Sequence, residues 1–447
     1  MQPIISVSGL RGVVGESLTP DVAARYLAAF AAALPEGKVL ITRDGRATGP
    51  MLADAVRSAI ASAGRDALDA GVAATPTAGV LVRSEGCVGG VQISASHNPA
   101  EYNGLKLFGG DGRILPAGKG QEVKDRYLAA EINYARHDAI GTISTLEDTT
   151  SEHLRLVESI VDADAIRAKR FRVLLDSNRG SGAVLGKRLL ESLGCETTVL
   201  GAEPDGLFEH PPEPTATNLA GVCEQHGQQG FDAIFCQDPD ADRLAIIDGS
   251  GRYLGEELTL ALAVEHQLRQ APGPIVSNCS SSRVTQDLAE KHGVEFYRSA
   301  VGEANVVDAM LEHDAVLGGE GAGGVIHPAV VLVRDSFVGM AMTLDAMAAR
   351  DLPLAALADE LPKYAIHKTK TPLETERLSP ALDALEQYFA TAETDRLDGL
   401  RLDWPEERKW LLVRASNTEP IVRLIAEAPN MADAEQVCQE AAKVIAG

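Results

Sequence analysis

Three times along the chain a short apolar run is followed by a polar turn, a 3.6-periodic helix, a terminal glycine and a second short strand. The first copy runs from Val39-Leu40-Ile41 through Arg43-Asp44-Gly45-Arg46 and a helix with Leu52, Val56, Ala59 and Ile60 to Gly64. The second runs from Val173-Leu174-Leu175 through Asp176–Gly182 to Gly194, and the third from Ile275-Val276 through Ser277–Ser282 to Gly293. A further short strand then leads to Gly71, Gly201 or Gly302. Strand, turn, helix and strand make a βαβ unit, so three copies predict three similarly built α/β domains with mixed sheets. At 447 residues the chain is in any case too long for one core. Past about residue 365 the pattern changes. Trp410–Arg414 and Ile421–Ala426 read as strands around a tight polar loop, and a helix runs from Ala432 to Ile445, which predicts a smaller α+β domain. The polar stretch 141–150 is expected to separate the first domain from the second, and a hairpin over Leu244–Tyr253 to close the second. The expected domains are 1–145, 150–253, 254–364 and 365–447.

Lys+Arg 41 against Asp+Glu 64 gives a net charge of -23, which argues against non-specific nucleic-acid binding and against an anionic membrane surface. An anionic substrate would need the few cations gathered in one cleft. The six cysteines contain no Cys-x-x-Cys pair and read as reduced, small apolar fillers. The N-terminus lacks a basic region followed by an apolar one, and the Ala-rich stretch Val22–Leu34 contains Arg25 and is too short to span a bilayer. The expectation is a cytoplasmic protein with no membrane partner, monomeric or homodimeric.

Four stretches carry chemistry. Gly89–Ile93 reads as a buried strand that breaks into Ser94-Ala95-Ser96-His97-Asn98-Pro99, delivering a hydroxyl and an imidazole to the end of a sheet. In isolation the same residues also suit a plain hydrogen-bonding turn. Asp238, Asp240 and Asp242 alternate after the apolar run Ile234-Phe235-Cys236, a spacing that sets all three on one side of an extended segment. Like charges there are poised to hold a hard divalent cation through oxygen, although a solvated acidic turn has the same sequence. Arg243 and Gly249 do not fit a calcium EF-hand. Arg414-Ala415-Ser416-Asn417-Thr418-Glu419-Pro420 joins two strands with hydroxyls, an amide and backbone N–H groups, and with Arg423 it could grip a phosphate, though such turns are more often only turns. Gly318–Gly324 reads as a flexible loop with one carboxylate, Glu320, suited to sugar hydroxyls or simply a linker. Near the N-terminus Ser8-Gly9-Leu10-Arg11-Gly12 does not match a dinucleotide fingerprint, and no P-loop is present.

In this order, Ser-Gly-Leu-Arg-Gly, Ala-Ser-His-Asn-Pro with Asn103-Gly104-Leu105-Lys106, Asp-Pro-Asp-Ala-Asp-Arg, Gly-Glu-x-x-Gly and Arg-x-Ser-Asn-Thr-Glu-Pro resemble the α-D-phosphohexomutase family over the whole chain. The resemblance implies four domains around a central cleft, three α/β and one phosphate-clamping α+β. It implies that Ser96 is a phosphoserine, and that Asp238, Asp240 and Asp242 with Ser96 hold one Mg²⁺ per chain. Arg11, His97, Lys106 and Arg243 would surround the transferring group, with Lys106 as general acid/base. Glu320 would contact the sugar, and Arg414, Ser416, Asn417, Thr418 and Arg423 would hold the other phosphate. A sugar 1,6-bisphosphate would act as intermediate and activator, and a hinge near 365 would close the cleft.

Two positions depart from the family pattern: Ala322 stands where many relatives have Ser, and Gly324 where several have His. The loop, Asn417 and the chain length resemble the archaeal phosphoglucosamine mutases, with phosphomannomutase/phosphoglucomutase as the alternative. A non-catalytic sugar-phosphate-binding protein or a phosphatase uses the same scaffold. A retired enzyme would be expected to lose Ser96, Lys106 or an aspartate of the triplet, and all are present.

Overall fold

The computed structural model describes residues 3–7, 9–415 and 421–446, apart from the side chain of Thr375. Strands β1 (Ile4–Ser6), β2 (Gly9–Val13), β3 (Val39–Arg43), β4 (Ala67–Val72), β5 (Gly89–Ile93), β6 (Tyr102–Gly109) and β7 (Ile143–Thr145) form the first sheet, in the order β1-β2-β6-β5-β3-β4-β7. The second sheet holds β8 (Arg172–Asp176), β9 (Glu196–Leu200), β10 (Ala233–Gln237) and β11 (Leu244–Asp248), ordered β11-β10-β8-β9. The third holds β12 (Ile275–Asn278), β13 (Phe296–Ser299), β14 (Leu317–Glu320) and β15 (Gly324–Ile326), ordered β13-β12-β14-β15. In the fourth, β16 (Ala365–Pro372), β17 (Glu393–Asp395), β18 (Leu400–Trp404), β19 (Lys409–Ala415) and β20 (Ile421–Ala428) are ordered β16-β20-β19-β18-β17 and wholly antiparallel.

The threefold repeat is present. β3 and β4, β8 and β9, and β12 and β13 are parallel neighbours, each pair crossed over by one helix. The helices Gly49–Ser62, Gly182–Ser192 and Val284–His292 are followed by Gly64, Gly194 and Gly293 at φ 75, 74 and 68, the left-handed region that suits glycine. A fourth, antiparallel strand completes each core: β6, β11 or β15.

The stretch 141–150 is not only a separator. Ile143–Thr145 adds as a parallel edge strand to β4, exposed along its length. An edge strand of this kind needs backbone bonds and no apolar alternation, so nothing in its sequence marks it. The three α/β units also share one continuous apolar cluster, with Leu40, Val82, Leu175, Phe235, Leu317 and Phe337 among its members. At its centre lies the helix Ser336–Arg350, buried on nearly every side. The fourth sheet has its own core under the helix Met431–Ala446, and meets the third unit through a small cluster of Cys279, Trp410 and Leu412. All six cysteines are unpaired and five are buried. Among the described residues no helix is long and apolar enough to cross a membrane.

Candidate active site

The loop after β5 has to leave the sheet and turn back into β6 within eight residues, and the turn costs backbone strain. Ser96 is only 2% exposed and adopts φ +50, a left-handed conformation worth about 1 kcal/mol of strain for a residue with a side chain. Ser94 within the loop and side chains outside it hold it there. The Ser96 N–H donates to Ser94 Oγ (2.9 Å), which donates to Asp44 Oδ2 (2.7 Å). Arg46, fully buried, spreads its guanidinium beneath the loop. Nη2 donates to the carbonyls of Ser96 (2.7 Å) and Asn98 (2.6 Å), Nη1 to those of Pro99 (2.7 Å) and Tyr102 (3.0 Å), and Nε to Asp44 Oδ2 (3.1 Å). Phe208, from the second unit, covers the other face of that guanidinium at 5.1 Å. The turn after β3 is therefore the mould of the Ser96 loop.

Asp238, Asp240 and Asp242 stand between the antiparallel strands β10 and β11. They converge because the chain turns there, with Ala241 at φ +55, and not because the segment is extended as the alternating spacing suggests. Asp238 Oδ1 accepts the N–H groups of Asp242 (3.1 Å) and Arg243 (3.2 Å), closing the turn on itself. Three neighbours brace it. Ser181 donates to Pro239 O (3.0 Å), Ser336 to Ala241 O (2.7 Å), and Thr75, at the start of helix Thr75–Ser84, donates through Oγ1 to Asp240 Oδ2 (2.5 Å).

The two loops meet. Ser96 Oγ donates to Asp238 Oδ2 at 2.8 Å and lies 3.3 Å from His97 Nδ1. Lys106 Nζ, from the neighbouring strand β6, is 3.0 Å from both Asp240 Oδ2 and Asp242 Oδ2. Arg11, on β2, donates to Asn98 Oδ1 (3.2 Å), and Arg243 Nε lies 3.9 Å from Asp242 Oδ1. Sequence-distant Ser96, His97, Lys106, Arg11, Arg243 and the aspartate triplet thus form one cluster. Burial pushes the His97 imidazole down to about 3, helped by the positive charges of Arg243 and Arg11, so it stays neutral at ordinary pH. Burial and the neighbouring carboxylates push Asp238 well up. Burial acts in the same direction on Asp240 and Asp242, but Lys106 with the hydrogen bonds of Thr75 and Asp238 outweighs it at Asp240, and Arg334 with Lys106 and Arg243 outweighs it at Asp242, so both end lowered. Burial alone would lower the Lys106 ammonium, yet Asp240 and Asp242 raise it above its ordinary value.

The triplet fits a cation. One oxygen from each aspartate lies within 4.8 Å of the others, and Asp240 Oδ1 and Asp242 Oδ1 are buried with no hydrogen-bond partner among the described residues. An all-carboxylate donor set suits a hard divalent ion.

Glu320 ends β14 and is 7% exposed. Gly318–Gly324, expected to be a flexible loop, is a buried two-strand hairpin of β14 and β15. Its glycines permit close packing: a Cβ on Gly321 would overlap the Glu257 carboxylate, and one on Gly324 would lie 2.3 Å from Arg334 Cδ. Glu320 Oε1 accepts Asn278 Nδ2 (2.7 Å) and the Gly302 N–H (3.2 Å), while Oε2 accepts Arg334 Nη1 (2.6 Å). The adjacent Val301 N–H donates to Asp398 (3.0 Å), and Asp398 pairs with Arg414 at 3.1 Å. Arg414 is opposite Arg423 on β19 and β20, and Arg423 is opposite Lys370 on β16. Three cations therefore share one face of the fourth sheet, with Asp398 paired to Arg414, and an anion bound there would ease their mutual repulsion. Ser416, Asn417 and Thr418 lie outside the described residues.

Asp44, Arg46, Thr75, Arg334 and Lys370 were not singled out from the sequence. The available signal was the position of Asp44-Gly45-Arg46 at the carboxyl end of a buried parallel strand, where loops serve sites in α/β sheets.

Models of phosphoglucomutase/phosphomannomutase alpha/beta/alpha domains I, II and III match residues 3–133, 151–251 and 255–364, and the model of the C-terminal domain matches 372–444. The chain belongs to the α-D-phosphohexomutase family. It is 34% identical to a "Phosphoglucomutase/phosphomannomutase" of Thermococcus kodakarensis, covering 100% of this chain and 99% of the relative. It is 32% identical to a "Probable phosphoglucosamine mutase" of Methanopyrus kandleri, covering 100% and 98%. A solved phosphoglucomutase/phosphomannomutase family protein of Burkholderia thailandensis superimposes with TM-score 0.83 at 26% identity, covering 99% and 98%. An Aspergillus fumigatus N-acetylphosphoglucosamine mutase, solved with GlcNAc-6P and magnesium, shares the fold at TM-score 0.61 and 15% identity, covering 98% and 95%. As a phosphohexomutase the chain is an intramolecular phosphotransferase of the isomerase class.

Proposed function

We propose that the chain interconverts glucosamine 6-phosphate and glucosamine 1-phosphate through a phosphoserine at Ser96 and a glucosamine 1,6-bisphosphate intermediate. The observation that carries the reading is the Ser96 hydroxyl on Asp238, ringed by Lys106, Arg11, His97 and Arg243. Phosphoryl transfer depends chiefly on positioning and charge neutralisation, and this cluster offers both. Asp238, Asp240 and Asp242, with the Ser96 phosphate, would hold Mg²⁺, which when bound neutralises charge on the transferring group.

In the first half-reaction the free sugar hydroxyl attacks the phosphorus, the P–O bond to Ser96 Oγ breaks, and Ser96 Oγ takes up a proton. The substrate hydroxyl gives up its proton in the same step. His97 Nδ1, neutral and 3.3 Å from Ser96 Oγ, is placed to take the proton from the substrate hydroxyl and pass it to Ser96 Oγ, so that no net proton is gained or lost. Lys106, held as an ammonium by two aspartates, serves as a fixed cation beside the transferring group. The bisphosphate then turns over and returns its other phosphoryl group to Ser96. Glu320 reads the sugar, while Arg414, Arg423 and the turn with Ser416, Asn417 and Thr418 grip whichever phosphate is not reacting. A separate core for the fourth sheet and its small apolar contact with the third unit support closure about residue 365.

The name of the Methanopyrus kandleri relative supports the hexosamine. The 34% identity to the Thermococcus protein supports a second reading, phosphomannomutase/phosphoglucomutase. Coupled assays of glucosamine, mannose, glucose and N-acetylglucosamine phosphates, side by side with Mg²⁺ and a bisphosphate primer, decide between them. Glucosamine phosphate is expected to give the highest kcat/KM, and mannose phosphate equalling it would overturn the choice of sugar.

A further inference from the structure

Gly324 and Arg334 form a matched pair. Arg334 is 9% exposed and lies on the segment that leads into helix Ser336–Arg350, where hydrogen bonds hold its backbone. Its own N–H donates to Glu303 Oε1 (2.7 Å). The next residue, Asp335, donates its N–H to Val325 O (2.7 Å), caps the helix through the N–H groups of Phe337 and Val338, and lies 2.7 Å from His153 Nε2. The far end of the side chain is equally fixed. Nη1 donates to Glu320 Oε2 and Nη2 to Asp242 Oδ2, both at 2.6 Å. Between these anchors the aliphatic stem crosses Gly324, where a Cβ would lie 2.3 Å from Arg334 Cδ and 2.7 Å from Cγ. With both ends tied, the stem has no room to yield, so any larger residue at 324 would have to displace it.

One planar fork thus joins a carboxylate from the β10–β11 turn of the second unit to a carboxylate at the end of β14 in the third. A guanidinium can do this because its donors are rigidly spaced, and a lysine ammonium cannot satisfy both with the same geometry. Removing it would leave Asp242, Glu303 and Glu320 facing each other, with Lys106 the nearest remaining balancing charge.

We propose that Arg334 is a positioning residue that sets Glu320 in register with the aspartate triplet, and that glycine at 324 is required for its stem to pass. The inference rests on the reading of Glu320 as the sugar contact. Its consequence is that the sugar is presented at a fixed spacing from the reacting phosphoryl group.

The test measures kcat, KM and melting temperature for R334A, R334K, G324A, E320Q and R334A/E320Q. It also measures calorimetric binding of glucosamine 6-phosphate and mannose 6-phosphate without divalent cation. Using both sugars makes a wrong sugar visible in the unmutated protein. E320Q and R334A should each raise KM and Kd about tenfold, and the double variant should be within about twofold of the worse single variant, because both remove one interaction. G324A should reproduce the R334A defect. R334K should recover the melting temperature but not KM, which separates positioning from folding. Multiplicative effects of R334A and E320Q, or R334A within about twofold of the unmutated protein in both readouts, would overturn the inference while leaving the sugar reading intact. E320Q binding both sugars normally would overturn the sugar reading, and the inference with it.

Discussion

Replacing Arg46 by lysine tests whether the turn after β3 shapes the Ser96 loop. The guanidinium makes five side-chain hydrogen bonds, four of them to carbonyls of residues 96 to 102. An ammonium has three donors, so at least two bonds are lost; at about 1.5–3 kcal/mol for each charge-assisted bond, the loop loses roughly 3–6 kcal/mol of support. That exceeds the strain of about 1 kcal/mol stored at Ser96. The loop is then expected to relax, and misplacement of a reacting atom by about 1 Å costs on the order of a hundredfold in rate. The proposed sugar contact and phosphate grip lie on other elements. In a coupled mutase assay, R46K should therefore lose about a hundredfold in kcat, with KM within about threefold of the unmutated value. Phosphorylation of Ser96 by a sugar 1,6-bisphosphate, followed by intact mass, should slow in parallel. An R46K protein with undiminished kcat and normal phosphorylation would refute the reasoning.

Asp242→Asn should weaken divalent-cation binding by at least about tenfold by calorimetry, since it removes one charged ligand oxygen from a buried triplet. Chelation of the unmutated enzyme should abolish turnover, and added Mg²⁺ should restore it. R414A should raise KM about tenfold with little change in kcat, because it removes one of three aligned cations from the proposed phosphate grip and leaves the Ser96 cluster untouched. Glu257 supplies a pH signature. Burial raises its carboxyl from the ordinary 4.5 to about 7, against the partial opposition of Lys368 and the Ser282 N–H. The folded chain thus binds the extra proton between those values, and stability should fall as pH rises through that window. In denaturant unfolding, E257Q should match the unmutated protein near pH 4.5 and exceed it at pH 8.

Much of this architecture is legible in the chain because its signals are local. The three βαβ copies announce themselves through apolar runs and terminal glycines, and Asp238, Asp240 and Asp242 through their spacing. The turn that brings those aspartates together is less visible, since Ala241 at φ +55 is not a residue type that advertises a left-handed conformation. Gly318–Gly324 misleads for a related reason. Glycine signals both flexibility and close approach, and here neighbouring side chains, those of Glu257 and Arg334, decide for the second. Arg46 has only its place after a buried strand to mark it, and Arg334 has no local mark. The carbonyls that Arg46 holds are about 50 residues away and Asp242, at one end of the Arg334 fork, is in another unit, so these roles exist only once the sheets have packed.

The most direct measurement is the site of covalent phosphate. After incubation with a sugar 1,6-bisphosphate and Mg²⁺, peptide mass spectrometry should find one phosphate, on Ser96, and S96A should carry none and be inactive. A phosphate found elsewhere with Ser96 unmodified, or full turnover by S96A, would contradict the account.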